Sequence, residues 1–380
     1  MVLIYEGKYP IFTEKMEEGF FVHELKPDLK RLYVEITNRC NLDCIMCVRQ
    51  SWETEEGDLP LTTYESLMDQ LKDFPHLEEI IIGGLGEPLV HPKIEPIIML
   101  TKQRGYKTSI TTNGMLLSEG LMKTMVEAKL DGLIISCDSF SGELFSSIRR
   151  KGKISSLFEK LRCLNDIKAQ AKSIFPRVHL EFVLMKSNRS ELKELPKIAR
   201  QLNALSVLVS HVLPHTKEMT REIMYHRGSD MELEEEKMPM FWPSPVQGFA
   251  TMCTVNMPRM YWGAQRRCRF VSRKAAVVRF DGSVAPCYAL LHPNQYYIFG
   301  RKKRVRRQVF GNIKTDALKN IWISKDYVKF RHRVRLFLFP SCEDCKLKND
   351  CEYPLYNEDC WGNAPSCADC LWAQDIVKCP

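Results

Sequence analysis

The chain lacks any apolar run of roughly 18 residues, so no membrane-spanning helix is expected. Its first residues, MVLIYEGKYPIF, hold an acidic Glu6 and no long apolar core. They are unlike a secretory signal, and the expected location is the cytoplasm. No internal repeat and no low-complexity tract is present. Neither sign of charge dominates, since a net charge of +8 over 380 residues is modest. Much of it sits in Arg301-Lys302-Lys303-Arg304-Val305-Arg306-Arg307, without interleaved aromatics or a nucleic-acid motif. That run reads as a solvated loop or as a dock for an acidic partner protein, and no nucleic-acid partner is expected. Hydrophobic residues at 44% and charged residues at 27% describe a soluble globular protein. The length suggests about two to three domains.

Cysteine, in contrast, is abundant: there are 15. A reducing compartment disfavours structural disulfides, so the thiols read better as ligands of a metal or cluster. Their distribution agrees. Three lie at Cys40, Cys44 and Cys47, and nine lie between Cys268 and Cys379. Only Cys137, Cys163 and Cys253 stand apart, and Cys137 and Cys163 read as ordinary packed residues.

From residue 31 to 214 strand and helix signals alternate. Strands are expected at 32–37, 78–83, 107–112, 132–137, 178–185 and 206–213. Helical patterns run from Tyr64 to Asp73, Ile94 to Arg104, Ser118 to Lys129, Ser155 to Gln170 and Glu191 to Gln201. Parallel neighbours need a crossover helix, so six such units predict an α/β fold with a partial six-stranded (β/α)6 barrel resembling a TIM barrel. Residues 215–262 break the pattern with Glu232, Glu234, Glu235 and Glu236 followed by MPMFWPSPVQGF, and read as a linker or lid. Beyond 263, Ala275 to Phe280, Asp281-Gly282 and Ser283 to Cys287 form a hairpin pattern, and a helical stretch from Leu318 to Phe330 leads into a cysteine-dense tail. The expected division is an N-terminal extension at 1–30, the barrel at 31–214, the linker at 215–262 and a small cysteine-rich domain at 263–380.

The segment TNRCNLDCIMC places three thiols on the loop leaving the first barrel strand. Zinc would need a fourth ligand from elsewhere, and structural zinc sites usually pair two C-x2-C units. A four-iron cluster held by three thiolates instead keeps one iron open to a substrate. This C-x3-C-x2-C loop resembles the hallmark of the radical S-adenosylmethionine (SAM) enzymes. Gly83-Gly84-Leu85-Gly86-Glu87-Pro88 after the second strand resembles that family's glycine-rich loop for the SAM amino group, with Leu85 a departure. Thr111-Thr112-Asn113-Gly114 after the third strand and Ile135-Ser136-Cys137-Asp138 after the fourth resemble its ribose-contacting positions. As residues alone, Asn113-Gly114 also fits a turn and Asp138 a helix cap. The resemblance implies that Met46 lies against adenine. It also implies that Gly83, Gly84, Gly86, Glu87, Thr112, Asn113, Ser136 and Asp138 hold SAM, and that Cys40, Cys44 and Cys47 hold a [4Fe-4S] cluster with an open iron.

Cys268, thirteen residues, Gly282, four residues and Cys287, then Cys342-x2-Cys345-x5-Cys351, resemble the family's SPASM extension. Cys360 follows after eight residues rather than the usual three, and Cys367, Cys370 and Cys379 close the tail. The resemblance implies two auxiliary [4Fe-4S] clusters. One is expected on Cys342, Cys345, Cys351 and a thiol of the Cys367–Cys379 group, the other on Cys268, Cys287 and Cys360. A zinc-binding tail is the alternative. SWETEEGD after the first triplet, LVSHVLP at the sixth strand and the tail are similar to radical SAM maturases of tungsten-containing oxidoreductases. That similarity implies reductive cleavage of SAM to a 5′-deoxyadenosyl radical. The implied target is a tungsten-pterin cofactor or its host enzyme, with ferredoxin or flavodoxin as electron donor. A maturase of a ribosomally made peptide is a second reading, and a non-enzymatic electron carrier or metal scaffold a third. His211, near the end of the sixth strand, reads as a packed residue or as one facing the substrate.

Overall fold

The computed structural model describes residues 7–17, 19–225, 253–261 and 265–378. The acidic run at 232–236, the segment MPMFWPSPVQGF and Cys379 lie outside the described residues. Two short strands, β1 (Ile11–Met16) and β2 (Gly19–Glu24), form an antiparallel hairpin ahead of the barrel.

Six parallel strands follow in chain order: β3 (Arg31–Val34), β4 (Glu79–Ile82), β5 (Lys107–Thr112), β6 (Gly132–Ser136), β7 (Arg177–Leu184) and β8 (Ala204–His211). Their sequences explain the arrangement. β4 is Glu-Ile-Ile-Ile, buried along its whole length, and needs cover on both faces. Helices Leu61–Gln70, Ile94–Gln103, Glu119–Glu127, Ile154–Gln170 and Leu195–Gln201 supply the outer layer. In β7, Val178, Leu180, Phe182 and Leu184 join the core, each such side chain contributing roughly 2 kcal/mol of burial. The alternate residues His179, Glu181 and Val183 line cavities on the other face. A polar inner face is unusual for a filled barrel and leaves room for ligands.

The sheet extends beyond six strands. β9 (Thr254–Asn256) pairs in parallel with β8. The expected hairpin forms as β10 (Ala275–Val278) and β11 (Val284–Ala285), with Gly282 at φ +87° in its turn. It does not stand apart, because β10 lies parallel to β3 and makes a nine-stranded sheet. Ala-Ala-Val-Val is apolar without alternation and requires burial on both faces.

The basic run is not a solvated loop. Arg301–Val305 is a strand, β13, antiparallel to β12 (Asn294–Ile298). Its residues alternate: Lys303 and Val305 are buried while Lys302 and Arg304 are exposed. Lys303 pairs with the buried Asp369, and Arg301 with the buried Glu343 at 2.5 Å. Helices Leu318–Trp322 and Lys325–Leu336 precede the cysteine-dense tail. Among the described residues no helix is long and apolar enough to cross a membrane.

Candidate active site

The site begins where β3 runs out into the first cysteine loop. Asn38 is buried and clamps the loop's return segment, donating from Nδ2 to the Glu55 carbonyl at 2.8 Å and accepting from the Gly57 amide at 2.7 Å. Arg39 grips Asp58 through two nitrogens. The Ile45 amide donates to the Ile148 carbonyl at 3.0 Å. So held, Cys40, Cys44 and Cys47 line one cavity of about 320 Å³ together with Met46, within the range of small-ligand sites. The Leu42 amide points at Cys40 Sγ at 3.4 Å, and Asn113 Nδ2 at 3.9 Å. Burial pushes the free Cys44 thiol up to about 12, against the pull of the Arg149 guanidinium. Metal binding, which requires thiolates, opposes that penalty.

The glycine loop closes the next wall. A Cβ on Gly86 would stand 2.3 Å from the Thr37 carbonyl oxygen, so only glycine lets the two loops meet. Leu85, the departure from the family pattern, donates its amide to Glu35 Oε1 at 3.0 Å. Glu35 is itself fully buried and paired with His292 Nε2 at 2.8 Å. Glu87 accepts from Thr112 Oγ1 at 2.6 Å, the Asn113 amide at 2.7 Å and the Leu89 amide at 3.1 Å. It ties the glycine loop to the end of β5. A carboxylate has about four lone-pair sites, so three donors leave capacity toward the cavity. Gly84, Gly86, Glu87, Thr112, Asn113 and Ser136 all line that cavity.

Two expected SAM contacts sit elsewhere among the described residues. Gly83 is a packing position, where a Cβ would strike Thr111 Oγ1 at 1.9 Å. Asp138 is fully buried, does not line that cavity and caps no helix among the described residues. It accepts from the Val183 amide at 2.8 Å and pairs with Arg149 Nη2 at 2.6 Å. Through it Arg149, which does line the cavity, is held beside the cysteines.

Several lining residues were not foreseen. Glu181, on the inner face of β7, is pushed up to about 7 by burial, with Arg149 opposing and Asp138 assisting. The alternation in VHLEFVL carried its signal. Arg149 had none, since its place depends on Asp138. Trp372, Val377 and Lys378 come from the C-terminal tail, which docks on β8 through the His211 amide to the Ile376 carbonyl at 3.1 Å and the Lys378 amide to Ser210 Oγ at 2.9 Å. His211 does face the cavity, and neither ring nitrogen has a hydrogen-bond partner among the described residues. Burial lowers it and His215 to about 4, so both imidazoles are neutral at physiological pH.

A second cavity gathers Cys268, Cys287, Cys367 and Cys370. Cys342, Cys345, Cys351 and Cys360 lie in the preceding part of the tail, Cys342 buried and Cys345 and Cys360 exposed. Against the expected partition, it is Cys367 and Cys370, and not Cys360, that share this cavity with Cys268 and Cys287. Backbone pairing is the cause. Arg266 donates to the Ala368 carbonyl, and the Arg267 amide to the Ala373 carbonyl at 2.8 Å, which draws residues 367–373 onto Cys268. Among the described residues no three His, Cys, Asp or Glu side chains are drawn together tightly enough to hold a single metal ion. A four-iron cluster is larger, and thiolates around it stand apart by its own width.

The radical SAM superfamily pattern matches residues 34–199, and the SPASM iron-sulfur cluster-binding domain matches 268–346. The tungsten-containing aldehyde ferredoxin oxidoreductase cofactor-modifying protein of Pyrococcus furiosus is 37% identical over 93% of this chain and 97% of its own length. The chain belongs to the radical SAM family. It is a radical SAM enzyme with a SPASM domain, and SAM and [4Fe-4S] clusters are the cofactors of that family. The subtilosin biosynthesis protein AlbA of Bacillus subtilis is 30% identical over 86% of this chain and 66% of its own length. Streptococcus suis SuiB, solved with S-adenosylmethionine, shares the fold at a TM-score of 0.59 and 16% identity, covering 86% of this chain and 73% of that one.

Proposed function

We propose that this enzyme matures the tungsten-pterin cofactor, or the host protein, of a tungsten-containing aldehyde ferredoxin oxidoreductase in the cytoplasm. The observation that carries the reading is the 37% identity to the cofactor-modifying protein along nearly the whole of both chains. In this reading Cys40, Cys44 and Cys47 hold the cluster, and Met46, Gly84, Gly86, Glu87, Thr112, Asn113 and Ser136 hold SAM. Cys268, Cys287, Cys367 and Cys370 hold one auxiliary cluster, and Cys342, Cys345, Cys351 and Cys360 the other. When bound and reduced, a cluster held there would supply the one-electron chemistry that cleaves SAM to a hydrogen-abstracting 5′-deoxyadenosyl radical. The chain's own groups orient the ligands and keep water out. Arg149 sets a fixed positive charge beside the cysteines, and Trp372 and Val377 of the tail line the same cavity. A ferredoxin or flavodoxin serves as electron donor.

Deleting the gene is expected to leave the tungsten oxidoreductase present but poorly active. Full oxidoreductase activity in a deletion strain with no close paralogue refutes the substrate while leaving the radical chemistry intact. The likeness to AlbA supports a second reading, a peptide maturase. A short precursor peptide encoded beside the gene favours it.

A further inference from the structure

The basic strand and the outer thiol group belong to one surface. β13 packs against the turn Tyr353–Leu355, and the Arg306 guanidinium lies 6.0 Å from the Tyr356 ring centre. The tail segment that supplies this contact exposes large apolar side chains: Leu347 at 71%, Trp361 at 65% and Tyr353 at 51%. Exposed aromatics set among cations are the composition of a protein interface rather than of idle surface. Arg306 already faces Glu358 at 3.3 Å, and Arg307 faces Asp281 at 3.3 Å. Lys302, Arg304 and Lys346 have no ion-pair partner among the described residues and are exposed. Cys345 and Cys360 of the same tail are exposed, whereas Cys268, Cys287, Cys367 and Cys370 are half-buried.

Behind this surface the thiol groups form a series. Asp369, next to Cys370 in the chain, pairs with Lys303 of β13, and the same strand carries Arg301, paired with Glu343 next to Cys342. Trp372 and Val377 line both the cavity of the Cys268 group and the cavity of the Cys40 triplet.

We propose that the surface around Lys302, Arg304, Tyr353 and Trp361 docks a small acidic one-electron carrier protein, which delivers its electron through the Cys342–Cys360 group. The carrier is oxidised by one electron and the cluster on those thiolates is reduced by one; no bond is made or broken. The proposal rests on the reading that these four cysteines hold a cluster. Complementary charge governs encounter and is screened by salt, while the aromatic side chains supply the part of the affinity that salt leaves in place.

The test uses the full chain with its clusters reconstituted anaerobically and a purified acidic ferredoxin, with binding read by titration calorimetry. At low ionic strength the ferredoxin is expected to bind. The double variant K302E/R304E is expected to raise Kd at least about tenfold, with most of the salt dependence lost. Trp361→Ser is expected to weaken binding at low and high salt alike. Iron content and dithionite-bleachable absorbance are expected to stay intact in both, which shows that the variants fold. Absence of ferredoxin binding to the wild type, or equal binding by K302E/R304E, overturns the docking surface. So does equally tight, charge-sensitive binding of anionic phosphatidylserine vesicles. Iron content separates the two layers. Normal ferredoxin binding by a chain with iron for only one auxiliary cluster leaves the surface standing and removes the electron entry through Cys342–Cys360.

Discussion

Glu181 offers a quantitative handle on the interior of the barrel. Its side chain is half-buried on the inner face of β7, where it lines the cavity, and desolvation there raises its carboxyl from an ordinary 4.5 to about 7. The unfolded chain ionises it near the ordinary value, while the folded chain keeps the proton until pH approaches 7. Between those values the unfolded state is the one that releases the proton. The group therefore costs nothing well below the unfolded pKa, costs progressively more as pH rises, and reaches its full penalty above the folded pKa. The shift corresponds to a full penalty of about 3 kcal/mol, of which about 2.5 kcal/mol accrues between roughly pH 5 and pH 8. Glu181→Gln keeps the shape and removes the charge. The stability difference between variant and wild type cancels every other titrating group, so it isolates this one. Urea unfolding of the cluster-loaded protein under anaerobic conditions is expected to show the variant gaining on the wild type by about 2 kcal/mol more near pH 8 than near pH 5. A difference that does not change with pH, or that shrinks as pH rises, refutes the desolvation of this carboxyl inside the barrel.

Three further outcomes follow from the geometry. Gly86→Ala is expected to weaken SAM binding at least about tenfold, because the new Cβ would meet the Thr37 carbonyl at 2.3 Å and push the loops apart; equilibrium dialysis with labelled SAM reads it, and unchanged affinity contradicts the close approach. Arg149→Met strands the buried Asp138 charge and is expected to cost about 3–5 kcal/mol, seen as a lowered melting temperature; a melt within about two degrees of wild type shows that the pair is not buried as described. Changing Cys40, Cys44 and Cys47 together to alanine is expected to leave about eight irons per chain; about four leaves one auxiliary cluster, and zinc without iron revives a structural tail.

The barrel was largely legible because its strands are short, apolar and separated by helices of the right length to cross over. Expected and observed strands differ by at most three residues at their ends: 107–112 coincides with Lys107–Thr112, while 32–37 compares with Arg31–Val34. The loops holding the cysteines and glycines follow from that alternation, so the cavity's main wall could be read in order along the chain. What could not be read depends on pairs distant in sequence. Lys303 looks solvated until Asp369, 66 residues on, is seen to meet it inside the fold. Asp138 looks like a ligand-binding end of β6 until Arg149 claims it. The grouping of the tail thiols follows backbone contacts of Arg266 and Arg267 with residues 368–373, which spacing between cysteines does not encode. The run Ala275–Val278 did carry a signal, an apolar stretch without alternation, that marks a strand covered on both faces rather than an isolated hairpin.

The central claim is that the cavity holding Cys40, Cys44 and Cys47 cleaves SAM reductively. Anaerobic, reconstituted protein given dithionite and SAM is predicted to release 5′-deoxyadenosine and methionine, and Cys44→Ala to release none. Undiminished 5′-deoxyadenosine from Cys44→Ala would contradict it.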